Sequence, residues 1–181
     1  VKEILFEERL ALRKAGTTPQ DRVELGIVIE TPVAALGVEA LAAESDFLMI
    51  GLDSLQQFLL AADRENGDLR AFFDCLHPVV LRVVQDVYSA CVAAGKPLPV
   101  FGVTSIYPRN ISLLIGAGLR SFCVPPAGLH EFLLTLATTD ARGAEREALR
   151  RMEAGSGQEA RAQREPRERV QDFRHGYGGR S

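Results

Sequence analysis

Asp53 and Ser54 stand between a short apolar run and a helical pattern, inside the stretch DFLMIGLDSLQQFLLAADR that runs from Asp46 to Arg64. Phe47-Leu48-Met49-Ile50, stopped by Gly51, reads as a strand buried on both faces. Leu55, Phe58, Leu59 and Ala62 then recur at helical spacing. A carboxylate and a hydroxyl at such a turn lie where α/β folds hold ligands, at the carboxyl ends of parallel strands. Glu30 has an equivalent place at the end of Leu25-Gly26-Ile27-Val28-Ile29. Thr104, Ser105 and Tyr107 add hydroxyls, but no base is evident beside them, so nucleophilic catalysis has weak support. His77, His130 and His175 form no pair at helical i, i+4 spacing and read as structural or solvated. The glycines of GAG at 116–118 end a helix and precede a strand, which is no phosphate loop.

The elements that must carry these groups follow from periodicity and punctuation. Val1 to Ala15 is helical and ends near Gly16. Thr31-Pro32 caps and starts a helix reaching about Glu44. A short helix over Asp68 to Phe73 precedes a long amphipathic one from Val79 to about Ala94, stopped by Gly95 and Pro97. Leu98 to Gly102 is a strand, Ile111 to Ala117 a helix, Ser121 to Val124 a strand, and Gly128 to Ala137 a helix. Four strand–helix units in succession imply a parallel sheet.

The bulk properties narrow the function classes. A chain of 181 residues, 46% hydrophobic and 25% charged, is an ordinary soluble globular composition. A net charge of -3 gives no reason to expect nucleic acid or an anionic membrane as partner. No apolar run approaches the roughly 20 residues that span a bilayer. Cys75, Cys91 and Cys123 lack metal-like spacing and fit reduced thiols in a cytoplasm, with Cys123 expected as a small buried hydrophobe. Val1 begins inside a helix, so a fragment is expected. From 141 to 181 ten Arg stand against seven acidic residues. The expected division is therefore a domain at 1–143 and an Arg-rich, largely disordered tail at 144–181, although Ala144 to Met152 can extend a helix.

The Asp46–Arg64 stretch resembles a signature of phosphoenolpyruvate-utilising enzymes, roughly Asp-x-hydrophobic-Ser-hydrophobic-Gly-Thr-Asn-Asp-Leu-x-Gln followed by an Arg. Asp46, Gly51, Leu55, Gln57 and Arg64 match it; Met49, Leu52, Asp53 and Ser54 replace its Ser, Thr, Asn and metal-binding Asp. GIVIETPVAAL (26–36), LAADREN (60–66), LHPVVLRVV (76–84), AAGKPLPVFG (93–102), LLIGAGL (113–119) and SFCVPPAGL (121–129) extend the resemblance to about Asp140. In order and spacing they are similar to the C-terminal barrel of phosphoenolpyruvate–protein phosphotransferase, enzyme I of the bacterial sugar phosphotransferase system. The resemblance implies an α/β fold of parallel βα repeats, the second half (strands five to eight) of a TIM (βα)₈ barrel.

It also implies roles. Glu30 matches a metal-binding Glu, and a carboxylate there suits Mg²⁺, which binds through one or two carboxylates plus substrate oxygens. A Glu favoured by the adjacent helix dipole is the equal alternative. Asp53 is one place before the second metal ligand and reaches the ion only if the loop shifts. Asp53 and Arg64 are the implied substrate-binding pair, a solvated helix end being the plainer reading of Arg64. The family's proton-donating Cys is here Phe101, in Phe101-Gly102-Val103, so no catalytic residue is assigned. Two readings follow. One is a barrel fragment whose family moves a phosphoryl group from phosphoenolpyruvate to a carrier-protein His with Mg²⁺, inactive by itself. The other is a non-catalytic ligand-binding or dimerisation module. A half-barrel leaves open edges, so a homo-oligomer or pairing with a missing half is expected.

Overall fold

The computed structural model describes residues 1–20, 22–67, 69 and 76–162. Four strands, β1 (Gly26–Ile29), β2 (Phe47–Gly51), β3 (Pro99–Phe101) and β4 (Ser121–Phe122), form one parallel sheet in the order β1-β2-β3-β4. Around it lie α1 (Lys2–Lys14), α2 (Pro32–Leu36), α3 (Val38–Glu44), α4 (Leu52–Leu60), α5 (Pro78–Ala93), α6 (Pro108–Gly116), α7 (Leu129–Thr138) and α8 (Ala141–Ala162). Neighbouring strands are parallel and joined through helices, so every carboxyl end falls on the same edge of the sheet. This is the expected α/β architecture, a partial barrel.

Local signals set most of the boundaries. The Thr31 side chain accepts from the Ala34 N–H with Pro32 in the first turn, and His77 Nδ1 accepts from the Val79 N–H ahead of α5. The helix expected from Thr31 to Glu44 is in fact two, because the backbone turns at Gly37 between α2 and α3. The short helix expected over Asp68 to Phe73 lies outside the described residues except for Leu69, as do Cys75 and His175.

The sheet has one covered face. Ile29, Leu48, Ile50 and Val100 are fully buried against Val80, Leu81 and Val84 of α5 and Leu113 and Leu114 of α6, with Ile27 and Phe122 packed beside them. Each fully buried Leu or Ile contributes about 1.5–3 kcal/mol. The alternate residues point the other way: Val28 is 45% exposed, and its register partner Met49 and nearby Phe47 and Phe101 are only half-buried. The expectation that β2 is buried on both faces is thus corrected, since the helices pack on one side only.

At the amino ends of the strands, Asp46 ties β1 to β2. Its carboxylate accepts from the Leu25 N–H at 2.8 Å and from Arg22 at 2.7 Å, and its own N–H donates to Leu25 O. The backbone N–H, then the guanidinium, hold its carboxyl below the usual range. Asp46 is far from the strand ends that bear Glu30 and Asp53, and what it does is structural.

α8 crosses the boundary expected at 143. Ala144, Ala148 and Met152, four residues apart, are buried against α5 and α6. A Cβ on Gly116 would stand 2.2 Å from Ala144 O, so the bare glycine admits the close crossing of α6 and α8. Arg82 Nη2 donates to Met152 O at 2.6 Å. The helix continues past Met152, within the tail expected to be largely disordered, to Ala162; residues 163–181 lie outside the described ones.

Candidate functional site

Glu30, Asp53 and Ser54 meet at the carboxyl edge of the sheet, each delivered by the end of a strand or the first turn of the helix after it. Glu30 follows β1, and its side chain lies across the end of β2, where a Cβ on Gly51 would stand 2.6 Å from Glu30 Cγ. Gly51 is therefore required by space. Asp53 and Ser54 are not in a loop but in the first turn of α4, whose N-terminal end favours negative charge. Ser54 Oγ donates to Glu30 Oε1 at 3.3 Å, and among the described residues this is the hydrogen bond Glu30 receives. Among the described residues, no hydrogen bond is donated to the other Glu30 oxygen.

Asp53 is engaged quite differently. Its Oδ2 accepts from the Val103 N–H at 2.7 Å and from Arg64 Nη1 at 2.7 Å. Its Oδ1 accepts from the Thr104 N–H at 3.0 Å and, by a short hydrogen bond, from Thr104 Oγ1. Four donors fill the roughly four acceptor sites of one carboxylate. The segment after β3 is wrapped around it: Gly102, at φ +129, would bring a Cβ to 2.9 Å from Asp53 Cγ. Ser105 Oγ donates to Gly102 O at 2.7 Å, and Asn110 Nδ2 to Thr104 O at 2.9 Å. The hydroxyls of Thr104 and Ser105, expected near the mouth, are buried and consumed in holding this loop.

Gly51, Asp53, Ser54, Arg64, Phe101, Gly102, Val103 and Cys123 line a cleft of about 480 Å³, closed on one side by Val124 and Pro125. Glu30 borders it through Ser54 and Gly51. Phe101 presents a ring to the cleft and no exchangeable proton. Cys123, expected to be buried, is exposed there, because β4 ends at Phe122 and the chain turns outward into Pro125-Pro126. The alternation Ser121-Phe122-Cys123 carried the signal, since Phe122 faces the core and its neighbours cannot. Cys91, by contrast, is buried in α5, and burial pushes its thiol up.

Which of these residues fit a divalent cation can be judged from the donor set. Among the described residues no three His, Cys, Asp or Glu converge as a metal cage. Glu30 and the Ser54 hydroxyl beside it are oxygen donors that would hold a Mg²⁺ only in part, its remaining positions needing oxygens from outside these two side chains. Asp53, with both oxygens taken, offers such an ion nothing without giving up the loop.

A family model described as PEP-utilising enzyme, PEP-binding domain, matches residues 1–140. The chain belongs to the PEP-utilising enzymes. Phosphoenolpyruvate-protein phosphotransferase of Listeria monocytogenes is 35% identical over 128 residues, 71% of this chain and 22% of that protein. The protein of the same name in Haemophilus influenzae is 34% identical over 122 residues, 67% of this chain and 21% of its own length. A probable phosphoenolpyruvate synthase of Archaeoglobus fulgidus is 30% identical over 142 residues, 78% and 18% respectively. The chain thus spans about a fifth of the length of these relatives. As a member of the PEP-utilising family it presents part of a PEP-binding domain, and among the described residues no helix is long and apolar enough to cross a membrane.

Proposed function

We propose that this chain binds phosphoenolpyruvate, as its Mg²⁺ complex, in the cleft at the carboxyl ends of β2, β3 and β4. In this reading it contributes part of a site for phosphoryl transfer to a carrier-protein histidine and does not turn over alone. The observation that carries it is Glu30: a half-buried carboxylate with one oxygen unengaged, held by Ser54 at the rim of the cleft. Glu30 and Ser54 would hold the cation, which when bound supplies charge neutralisation for the phosphoryl oxygens. Phe101 supports the absence of turnover, because pyruvate forms only when a proton reaches the enolate carbon and a benzyl ring has none to give. General acids supply on the order of 10² to 10⁴ in rate. Membership of a PEP-utilising family and reduced thiols both suit work in a cytoplasm.

Calorimetric titration with phosphoenolpyruvate and Mg²⁺ tests this. The wild type binds, and Glu30→Ala weakens binding by at least about tenfold, as loss of the anionic ligand assigned to the cation requires. No binding by the wild type, or equal binding by both proteins, overturns the reading.

The open sheet face supports a second, compatible reading as an assembly module. Val28 is exposed, Met49 and Phe101 are half-buried, and β1 and β4 are both edges. Unpaired N–H and C=O groups beside exposed apolar side chains drive association. Sedimentation velocity is expected to find a self-associated species whose fraction rises with concentration; a cooperatively folding monomer at every concentration would refute it.

A further inference from the structure

We infer that Asp53 sets the ligand selectivity of the cleft by occupying Arg64, and so bars anions that come without a cation. The inference rests on the PEP-binding reading for its biological meaning but not for its test. Arg64 is the cationic side chain that lines the cleft, and its Nη1 lies 2.7 Å from Asp53 Oδ2. The Asp53 side chain is only 14% exposed against 42% for Arg64, so the carboxylate is the fixed partner and the guanidinium comes to it. The Val103 and Thr104 N–H groups and the Thr104 hydroxyl hold that carboxylate from the other side, at an end of α4 already suited to negative charge.

The charge balance follows. Among the described residues, Asp53 and Arg64 cancel in the cleft lining, and Glu30 beside Ser54 adds a negative charge at its border. Among the described residues lining the cleft, a free phosphate or carboxylate meets one cationic group, Arg64, whose charge Asp53 already offsets through a carboxylate held by three further hydrogen bonds. An anion paired with a divalent cation is favoured instead, because Glu30 then faces positive charge. Asp53 is thus a positioning and specificity residue: it holds Arg64 and the loop after β3, and its charge selects the cation-bearing form of the ligand.

Asp53→Asn separates charge from shape. The amide keeps one acceptor oxygen and nearly the same volume but cancels nothing, so Arg64 becomes available. The probe is inorganic phosphate without divalent cation, followed by calorimetry and by thermal stabilisation. Asp53→Asn is expected to bind phosphate at least about tenfold more tightly than the wild type. Adding Arg64→Ala to that variant should return it to the wild-type value. A merely structural Asp53 would give a less stable protein with no gain in phosphate affinity, and that result overturns the inference. Should Asp53→Asn fail to fold, Arg64→Ala in the otherwise native chain decides. An unchanged response to phosphate, within about twofold, supports the inference, since Asp53 already offsets the charge of Arg64; a tenfold loss defeats it. Neither outcome depends on whether phosphoenolpyruvate itself binds, which the Glu30→Ala titration addresses separately.

Discussion

A chain ended at Asp140, where the match to the family stops, is expected to lose cooperative folding. α8 is not an appendage: Ala148 and Met152 belong to the main core cluster, with Leu113, Leu114 and Val84, and Ala144 packs with Ile111, Ile115 and Phe132. Losing a buried Met side chain alone costs about 2–5 kcal/mol. Here its loss is joined by the uncovering of two neighbouring helices, against a total stability of about 5–15 kcal/mol for a domain. The contact is also close, since Gly116 meets the backbone of Ala144 with no room for a methyl group. Thermal and urea unfolding followed by circular dichroism should show a broad, non-cooperative loss of structure for residues 1–140 beside a single transition for the whole chain. An unchanged midpoint for the shortened chain would show that α8 is dispensable.

Asp53→Ala is expected to destabilise the protein by about 2–3 kcal/mol, the range for hydrogen bonds to a charged group discounted for water reaching an open cleft. The reason is geometric. The carboxylate gathers two backbone N–H groups and a hydroxyl from a segment 50 residues away, joining α4 to the loop after β3. Alanine leaves the Thr104 N–H and hydroxyl without an acceptor where Thr104 is 3% exposed, and a group unsatisfied in that way costs more than the bond itself contributed. Urea denaturation of the variant measures it. Stability within about 0.5 kcal/mol of wild type would mean that the loop keeps its conformation without Asp53, and that such surface-like behaviour governs the site.

Much of the architecture was legible because it rests on short-range physics. Thr31-Pro32 and His77-Pro78 announce helix starts by hydrogen bonds within three residues, and each does cap a helix in the structure. The runs at 26–29 and 47–51 are too apolar and too bounded by glycine to be anything but strands, and they pair in parallel. What misled was the second face. A residue such as Met49 or Phe47 looks buried in sequence whether a partner covers it or not. Cys123 was misjudged for the same reason, its exposure depending on where β4 ends and where the two prolines send the chain.

The order of residues alone determined the parallel α/β plan, the family, and the gathering of Glu30, Asp53 and Ser54 at one edge, because strand and helix periodicities place successive strand ends together. Only the tertiary structure decided which carboxylate is free. Glu30 and Asp53 are alike as chemical groups, but donors from Val103, Thr104 and Arg64 converge on Asp53 and leave Glu30 with Ser54. It likewise decided that Ala144, Ala148 and Met152 belong to the core, for an arginine-rich helix acquires a buried stripe only when α5 and α6 stand ready to receive it. Such outcomes depend on side chains meeting across long separations in the chain, where neither propensity nor spacing carries information.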